Sequence, residues 1–439
     1  MKMSLKKNGE YKEWHSNGQL HIHSFYKDGK RDGEYKEWYH NGQLCMHVFY
    51  KDGKRDGEYK TWYDNGQLCM HVFYKDNKKN GEYKEWHDNG QLSIHAFYKD
   101  DKRDGEFKSW YNDGRLYIHA FYKDDKKDGD HKEWWNNGQL YIHTFYKDDK
   151  IYGEYKTWHL NGQLCIHVFY KDDKKDGEYK QLYDNGQLYI HTFYKDDKKD
   201  GVYKTWHGGS GQLCVHSFYK DDKIYGEHKR WDSNGRLFIH AFYKDDKKDG
   251  VYKTWHGGSG QLCVHSFYKD DKINGEYKIW HDNGRLFIHA FYKDDKRDGE
   301  YKEWWNKGQL YMHAFYKDDK KDGEYKQWYD NGQLYIHTFF KDDKKDGEYN
   351  QWYDNGQLLT KAYYKNGEID GEHKKWDTNN LLTRTYYIKT KEYNISLRKY
   401  MLLLYFKNRL RRSYRKKIIN TSNDFIINDL MGVIASYII

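Results

Sequence analysis

The sequence predicts an all-β chain: an elongated array of tandem β-hairpins followed by a short C-terminal α-helical segment. Three observations predict it. A unit of 24 residues recurs sixteen times. Each unit holds two runs of strand-favouring residues separated by Asn-Gly or a close substitute. The glycine spacing and the lack of a 3.6-residue apolar period exclude helix for the body of the chain.

A glycine opens each unit, at Gly9, Gly33, Gly57 and so on to Gly371. Two units are one residue longer, because Gly-Gly-Ser-Gly at 208–211 and 257–260 replaces Asp-Asn-Gly. In the unit 323–346 the first run, Tyr325 to Tyr329, is rich in rings that favour strands. Asn331-Gly332 then reads as a type I′ turn, since both residues tolerate positive φ. The second run, Gln333 to Lys341, alternates: Leu334, Ile336, Thr338 and Phe340 point one way, Tyr335, His337 and Phe339 the other. Asp342-Asp343-Lys344-Lys345-Asp346-Gly347 is a polar turn into the next unit.

Several slots recur. Leu fills its slot in all 16 units, from Leu20 and Leu44 to Leu382, and Trp fills its slot in 15, with Leu182 the exception. A His slot is occupied in 14 units, and the slot after it holds a small Ser, Val, Ala or Thr. A large ring from a neighbouring strand is expected over that small residue, each such cross-strand pair contributing about 0.2–1 kcal/mol. At about 32 strands and roughly 4.8 Å per strand, the sheet would run on the order of 150 Å, twisting as it goes. Residues 201–249 and 250–298 differ at six positions, the mark of a recent two-unit duplication. A residue shared between units therefore reports common descent as well as physical need.

Composition narrows the function classes. Aromatic residues make up 19% of the 439 residues, charged residues 33%, and proline is absent. Disordered chains are poor in rings, so wholesale disorder is excluded, and the scarcity of aliphatic residues argues against a thick two-layer core. The net charge of +9 is not spread evenly. Residues 381–439 hold 12 of the 77 Lys/Arg and 3 of the 68 Asp/Glu, which leaves 65 of each sign in the body. A neutral body of interleaved signs argues against a nucleic-acid groove in the repeats. Five Cys with no close pair suit a reducing compartment. The N-terminus carries no apolar run, and no stretch of 18 apolar residues occurs. The expectation is an intracellular protein, not secreted and without a transmembrane helix.

The domain reading is a lead-in at 1–8, repeats over 9–394 and a basic and apolar tail over 395–439. Ser396 to Ile419 reads as a helix with Leu403, Phe406, Leu410 and Tyr414 on one stripe. Arg409, Arg411, Arg412, Arg415, Lys416 and Lys417 make the rest of it basic, a possible contact for anionic lipid. Phe425 to Ile439 is apolar but too short to span a bilayer. The tail serves as a cap over the last strand edge, as a contact for anionic membrane, or as a contact for nucleic acid or another partner.

The candidate sites are few. Equivalent His residues, His23 and His47 through to His337, lie two strands or roughly 9.6 Å apart. Zinc needs its ligands at about 2.0–2.1 Å, so neighbouring units cannot share an ion unaided. Protonation of the column near pH 6 would set parallel rings repelling one another. The pairs Cys45/His47, Cys69/His71, Cys165/His167, Cys214/His216 and Cys263/His265 supply two ligands each, which does not close a zinc site. The Asp-Asp-Lys-Lys-Asp-Gly turns lack the alternating ligands and bidentate Glu of a calcium loop. No nucleophile elbow, Walker loop, HExxH or kinase set occurs. No catalytic residue, cofactor site or metal site is expected.

The sequence Asn17-Gly18-Gln19-Leu20, then Phe25 to Glu34, then Tyr35 to Tyr39 resembles the MORN repeat, in the variant found in bacterial proteins labelled as antitoxin components. The proline-free, Lys-, Tyr- and Asn-rich composition is similar to that of MORN proteins of giant viruses, which would place the chain in host cytoplasm. The resemblance covers about residues 9–390, and its structural positions are represented by Gly33, Trp38, Asn41, Gly42, Leu44 and Tyr50. The His slot and the Asp-Asp turns depart from the usual pattern. The resemblance implies hairpin stacks used as scaffolds, for dimerisation or at membranes. The expected function is a non-catalytic scaffold for protein–protein interaction, with unknown protein partners. The alternatives are a peripheral membrane tether working through the tail and an antitoxin-like neutralising protein.

Overall fold

The computed structural model describes residues 8–388 and 391–393. Among the described residues the chain forms strands and turns and no helix. The predicted helix Ser396 to Ile419, with the basic residues Arg409 to Lys417, lies outside the described residues. The chain divides into two compact units, one of residues 1–225 with 233–235 and one of residues 226–232 with 236–439.

In the first unit consecutive strands pair antiparallel, from Gly9–Trp14 with Leu20–Lys27 up to Lys198–Trp206 with Leu213–Lys220. The second unit repeats the arrangement, from Lys223–Trp231 with Leu237–Lys244 to Gly371–Trp376 with Leu382–Ile388. A short strand, Lys391–Tyr393, pairs with Tyr386 to Ile388 and lies on the outer edge of that last hairpin. Both elongated hairpins carry Gly-Gly-Ser-Gly without losing register, because a wider turn closes on His207, whose carbonyl accepts the Gly211 N–H at 2.8 Å.

The Asn-Gly turn departs from the type I′ turn expected of it. In the Asn-Gly turn, the Gly332 N–H donates to Tyr329 O at 3.0 Å and the Tyr329 N–H to Gln333 O at 2.9 Å. Gly332 takes φ +84° while Asn331 stays at negative φ, which is a type I turn closed by a glycine bulge rather than a type I′ turn. The type I′ turn falls instead on Asp342-Asp343, with φ of 48° and 67° between the paired Lys341 and Lys344. Its cost is offset by the turn before it. The Asp343 carboxylate accepts the Lys321 N–H at 2.8 Å, and the Asp343 N–H donates to Lys321 O at 2.9 Å. Asp101 makes the same pair of bonds to Lys79 in the first unit.

One face of each sheet is the core. Val72 is fully buried and stands in register between Tyr59 and Tyr83 on its two neighbouring strands. Ala96, Ala290 and Thr338 occupy the same slot, at 0%, 0% and 1% exposure. The expected ring over a small residue is therefore present on both sides, and it explains why the slot stays small: a larger residue would displace two rings. Each core Tyr also meets an edge-on ring from the partner strand, as Tyr83 does with Tyr98 at 5.5 Å. The Lys79 ammonium lies 4.7 Å and 4.9 Å from those two ring centroids. Ring pairs and cation–π contacts of this kind contribute about 0.5–1.5 kcal/mol each. The core is a one-residue-thick ladder of rings and small fillers, which suits a chain poor in aliphatic residues.

Candidate functional site

The opposite face carries the repeated chemistry. Glu82 and Lys84 flank Tyr83 and so point away from the core. Across the hairpin Phe97 pairs with Glu82 and His95 with Lys84. His95 Nε2 lies 2.8 Å from Glu82 Oε1, and Lys84 Nζ lies 2.7 Å from the same carboxylate. The Lys84 hydrogen bond, with His95 adding to it, holds the Glu82 carboxyl below its usual range. The His95 and Phe97 rings pack at 5.1 Å. The same group recurs in the second unit, with His289 and Glu276 at 2.8 Å and Lys278 and Glu276 at 2.6 Å.

These pairings were not read from the sequence, although a signal existed: a carboxylate stands 13 residues before most His of the column. They change the expected pH behaviour. In the hairpins that keep the carboxylate, the His ring lies beside it rather than in a bare row of cations, so the predicted mutual repulsion is offset there. In three units the pair is looser, at 3.4 Å for His47 and His71 and 3.3 Å for His167. Burial, with Lys36 and Lys60 adding to it, lowers the pKa of His47 and His71. Val202 and Val251 replace the Glu before His216 and His265. Among the described residues no three His, Cys, Asp or Glu side chains converge as a metal site. The five cysteines are half-buried thiols.

The structural positions expected from the sequence fall as follows. Gly33 sits in the bulge that starts each unit, at φ +108°, where an added Cβ would stand 3.3 Å from Phe25 Cβ. Trp38 pairs with Leu44. Asn41 Oδ1 accepts the Gln43 N–H at 3.0 Å, while its Nδ2 donates to Asp64 O in the next unit at 2.9 Å. Gly42 closes its turn by donating to Tyr39 O at 2.9 Å. Tyr50 meets Tyr35 edge-on at 6.1 Å and accepts from Arg31 Nη1 at 3.2 Å.

Sequence reasoning also missed the tie made by the residue after Trp. The Tyr39 hydroxyl donates to Trp62 O at 2.7 Å, and the Tyr329 hydroxyl to Trp352 O at 3.0 Å. That slot holds Tyr, His or Trp in 14 units, which was the available clue. One face assignment needs correction as well. Strict alternation places Tyr335 with His337 and Phe339, but a bulge lies between Gln327 and Trp328. The Tyr335 hydroxyl accepts from Gln351 Nε2 at 3.2 Å, and Gln351 shares the core face with Tyr349.

Among the described residues, five Phe rings of the His face, Phe121, Phe145, Phe193, Phe291 and Phe339, are left open to solvent. Phe145 and Phe193 are 42% and 37% exposed in the first unit, and Phe339 is 37% exposed in the second. No helix long and apolar enough to cross a membrane occurs among the described residues.

No curated protein matches the sequence. Among solved structures, one titled "Crystal Structure of TcdB2-TccC3" aligns over 88% of this chain and 25% of that one, at 12% identity and a TM-score of 0.16. A second, "Crystal Structure of TcdB2-TccC3-Cdc42", aligns over 88% and 27%, at 9% identity and a TM-score of 0.14. The chain thus spans about a quarter of the length of these proteins, and superpositions this loose carry no argument about it. The model of the MORN repeat variant matches twelve segments, eight in tandem from 7–28 to 175–196 and four from 273–294 to 345–366. The stretch between them folds into the same paired hairpins. With more than half of its residues matched, the chain belongs to the MORN repeat family, in its variant form.

Proposed function

We propose that the chain is a non-catalytic repeat scaffold whose His–Phe face receives protein partners. The observation that carries this reading is the set of exposed Phe rings, each bordered by the Lys and the Glu or Asp of its own hairpin. Partly exposed aromatic anchors with a charged rim are the residue pattern of protein interfaces. Along the core face the Tyr ladder packs against itself, whereas these Phe rings of the other face stand partly open. Half-buried free thiols suit a reducing compartment.

The test is quantitative affinity purification of the full chain, of a Phe121→Ser/Phe145→Ser/Phe193→Ser variant, and of a 1–394 truncation. A scaffold of this kind keeps its partners in the truncation and loses them in the ring variant. Partners that stay with the ring variant and leave with the tail, or no reproducible partner at all, would overturn it. The basic residues Arg409 to Lys417 favour a second reading, a tether to anionic membrane. That reading requires the full chain to float with anionic vesicles, salt to weaken the flotation, and the truncation to stay at the bottom.

A further inference from the structure

Sixteen copies of one unit share most of their slots, so a slot that varies is one the hairpin itself does not fix. Two slots vary beside the Asn-Gly turn: the residue after Trp and the residue after Leu. In the second unit, both slots hold large rings in two successive repeats, Trp305 with Tyr311 and Tyr329 with Tyr335. The rings of the first pair meet at 4.6 Å and 63°, those of the second at 4.8 Å and 53°. A cleft of about 480 Å³ opens among them. That volume lies in the ~300–1,000 Å³ range of small-molecule sites.

The cleft also holds polar groups. Gln327 is fixed in the wall, its Nε2 donating to the Tyr311 hydroxyl at 2.9 Å and its Oε1 accepting from the Tyr325 hydroxyl at 3.1 Å. Trp305 is 38% exposed. Tyr329, in the same slot of the next unit, spends its hydroxyl on Trp352 O. The Trp305 indole N–H makes no hydrogen bond among the described residues. Lys307 and Asp330 both line the cleft, so their charges balance.

We propose that this cleft binds a neutral oligosaccharide. The C–H face of a pyranose is apolar and slightly positive, and it stacks on the negative face of an aromatic ring. Its hydroxyls suit an unspent indole N–H and the hydroxyls of Tyr311 and Tyr335, each of which accepts one bond and still has a proton to donate. The balance of charge gives a phosphate or an ammonium ion no dominant partner. The corresponding slots of the first unit hold the rings Tyr117, Trp135 and Tyr141 beside a different group. There Glu133 replaces the amide, and its carboxylate is held by His131 at 2.8 Å.

The test titrates maltotetraose, cellotetraose and chitotetraose into the full chain, followed by saturation-transfer NMR and calorimetry. The variant Trp305→His/Tyr311→Cys introduces residues that these slots already hold at His281 and Cys263, so the hairpin is retained. At least one sugar is expected to bind, and the variant to weaken it about tenfold or more with an unchanged unfolding midpoint. If that variant loses its fold, Gln327→Thr, after Thr254 in the same slot, gives the reading instead. No binding of any of the three sugars at millimolar concentration overturns the proposal. So does full affinity in the variants, or choline binding in place of the sugars, which would mark a cage for cations.

Discussion

Replacing the unit-opening glycine by alanine should cost different amounts at two equivalent positions. Gly177 has φ +126°, and a Cβ there would stand 3.1 Å from Phe169 Cβ. Gly153 fills the same slot at φ +85°, with nothing within 4 Å of a built Cβ. A side chain held outside the left-handed well costs about 1–3 kcal/mol. Carbon atoms prefer about 3.5–4.0 Å, so Gly177→Ala adds a compression that Gly153→Ala does not. Both gain about 0.4–1 kcal/mol from the stiffer unfolded chain. The net cost is about 2 kcal/mol at Gly177 and about 1 kcal/mol at Gly153. Repeat arrays open locally, so the readout is native-state hydrogen exchange of the neighbouring strands rather than one global midpoint. Exchange in Leu164–Lys171 and Lys174–Leu182 should quicken about thirtyfold in Gly177→Ala. In Gly153→Ala the quickening around Lys150–Trp158 should be about fivefold. Equal effects, or a larger effect at Gly153, would refute the account of the bulge.

Other outcomes follow from the same geometry. Thr144 Oγ1 and Thr338 Oγ1 are buried and have no hydrogen-bond partner among the described residues. Thr144→Val should therefore stabilise its hairpin by about 1 kcal/mol, measured by the same exchange. Val already fills this slot at Val72. Asn331→Ala removes the bond to Gln333 N at 2.9 Å and the bond to Asp354 O at 2.7 Å, and should destabilise by about 1–2 kcal/mol, read as faster exchange on both sides of that turn. Acid should destabilise the chain in two stages, followed as the unfolding midpoint against pH. His47 and His71 have lowered pKa values when folded, so their contribution is present above about pH 6.5 and fades below it. Glu82 and Glu276 are lowered too, so theirs is lost below about pH 4.3. At the alkaline end burial pushes Tyr155, Tyr179, Tyr325 and Tyr349 up to about 12. Their contribution is complete below about pH 10 and is lost as pH rises from there toward their folded values. Phenolate absorbance that rises before unfolding would contradict this.

The sequence by itself determined the hairpins, their number and period, and the small slot beneath the Tyr rings. Those features are written in neighbouring residues: glycines at fixed spacing, a period of two, and turn residues between ring-rich runs. The tertiary structure decided what depends on residues outside the segment. Asp342-Asp343 rather than Asn331-Gly332 takes the type I′ turn, because Lys321, in the preceding unit, supplies the bonds that offset two positive φ angles. Tyr335 leaves the face that strict alternation gives it, because a bulge breaks the alternation. The pairing of His95 with Glu82 comes from the cross-strand register, and the cleft at Trp305 from the stacking of one hairpin on the next. Local pattern fixes which residues can form strands, whereas register, bulges and ties between units fix which side chains meet.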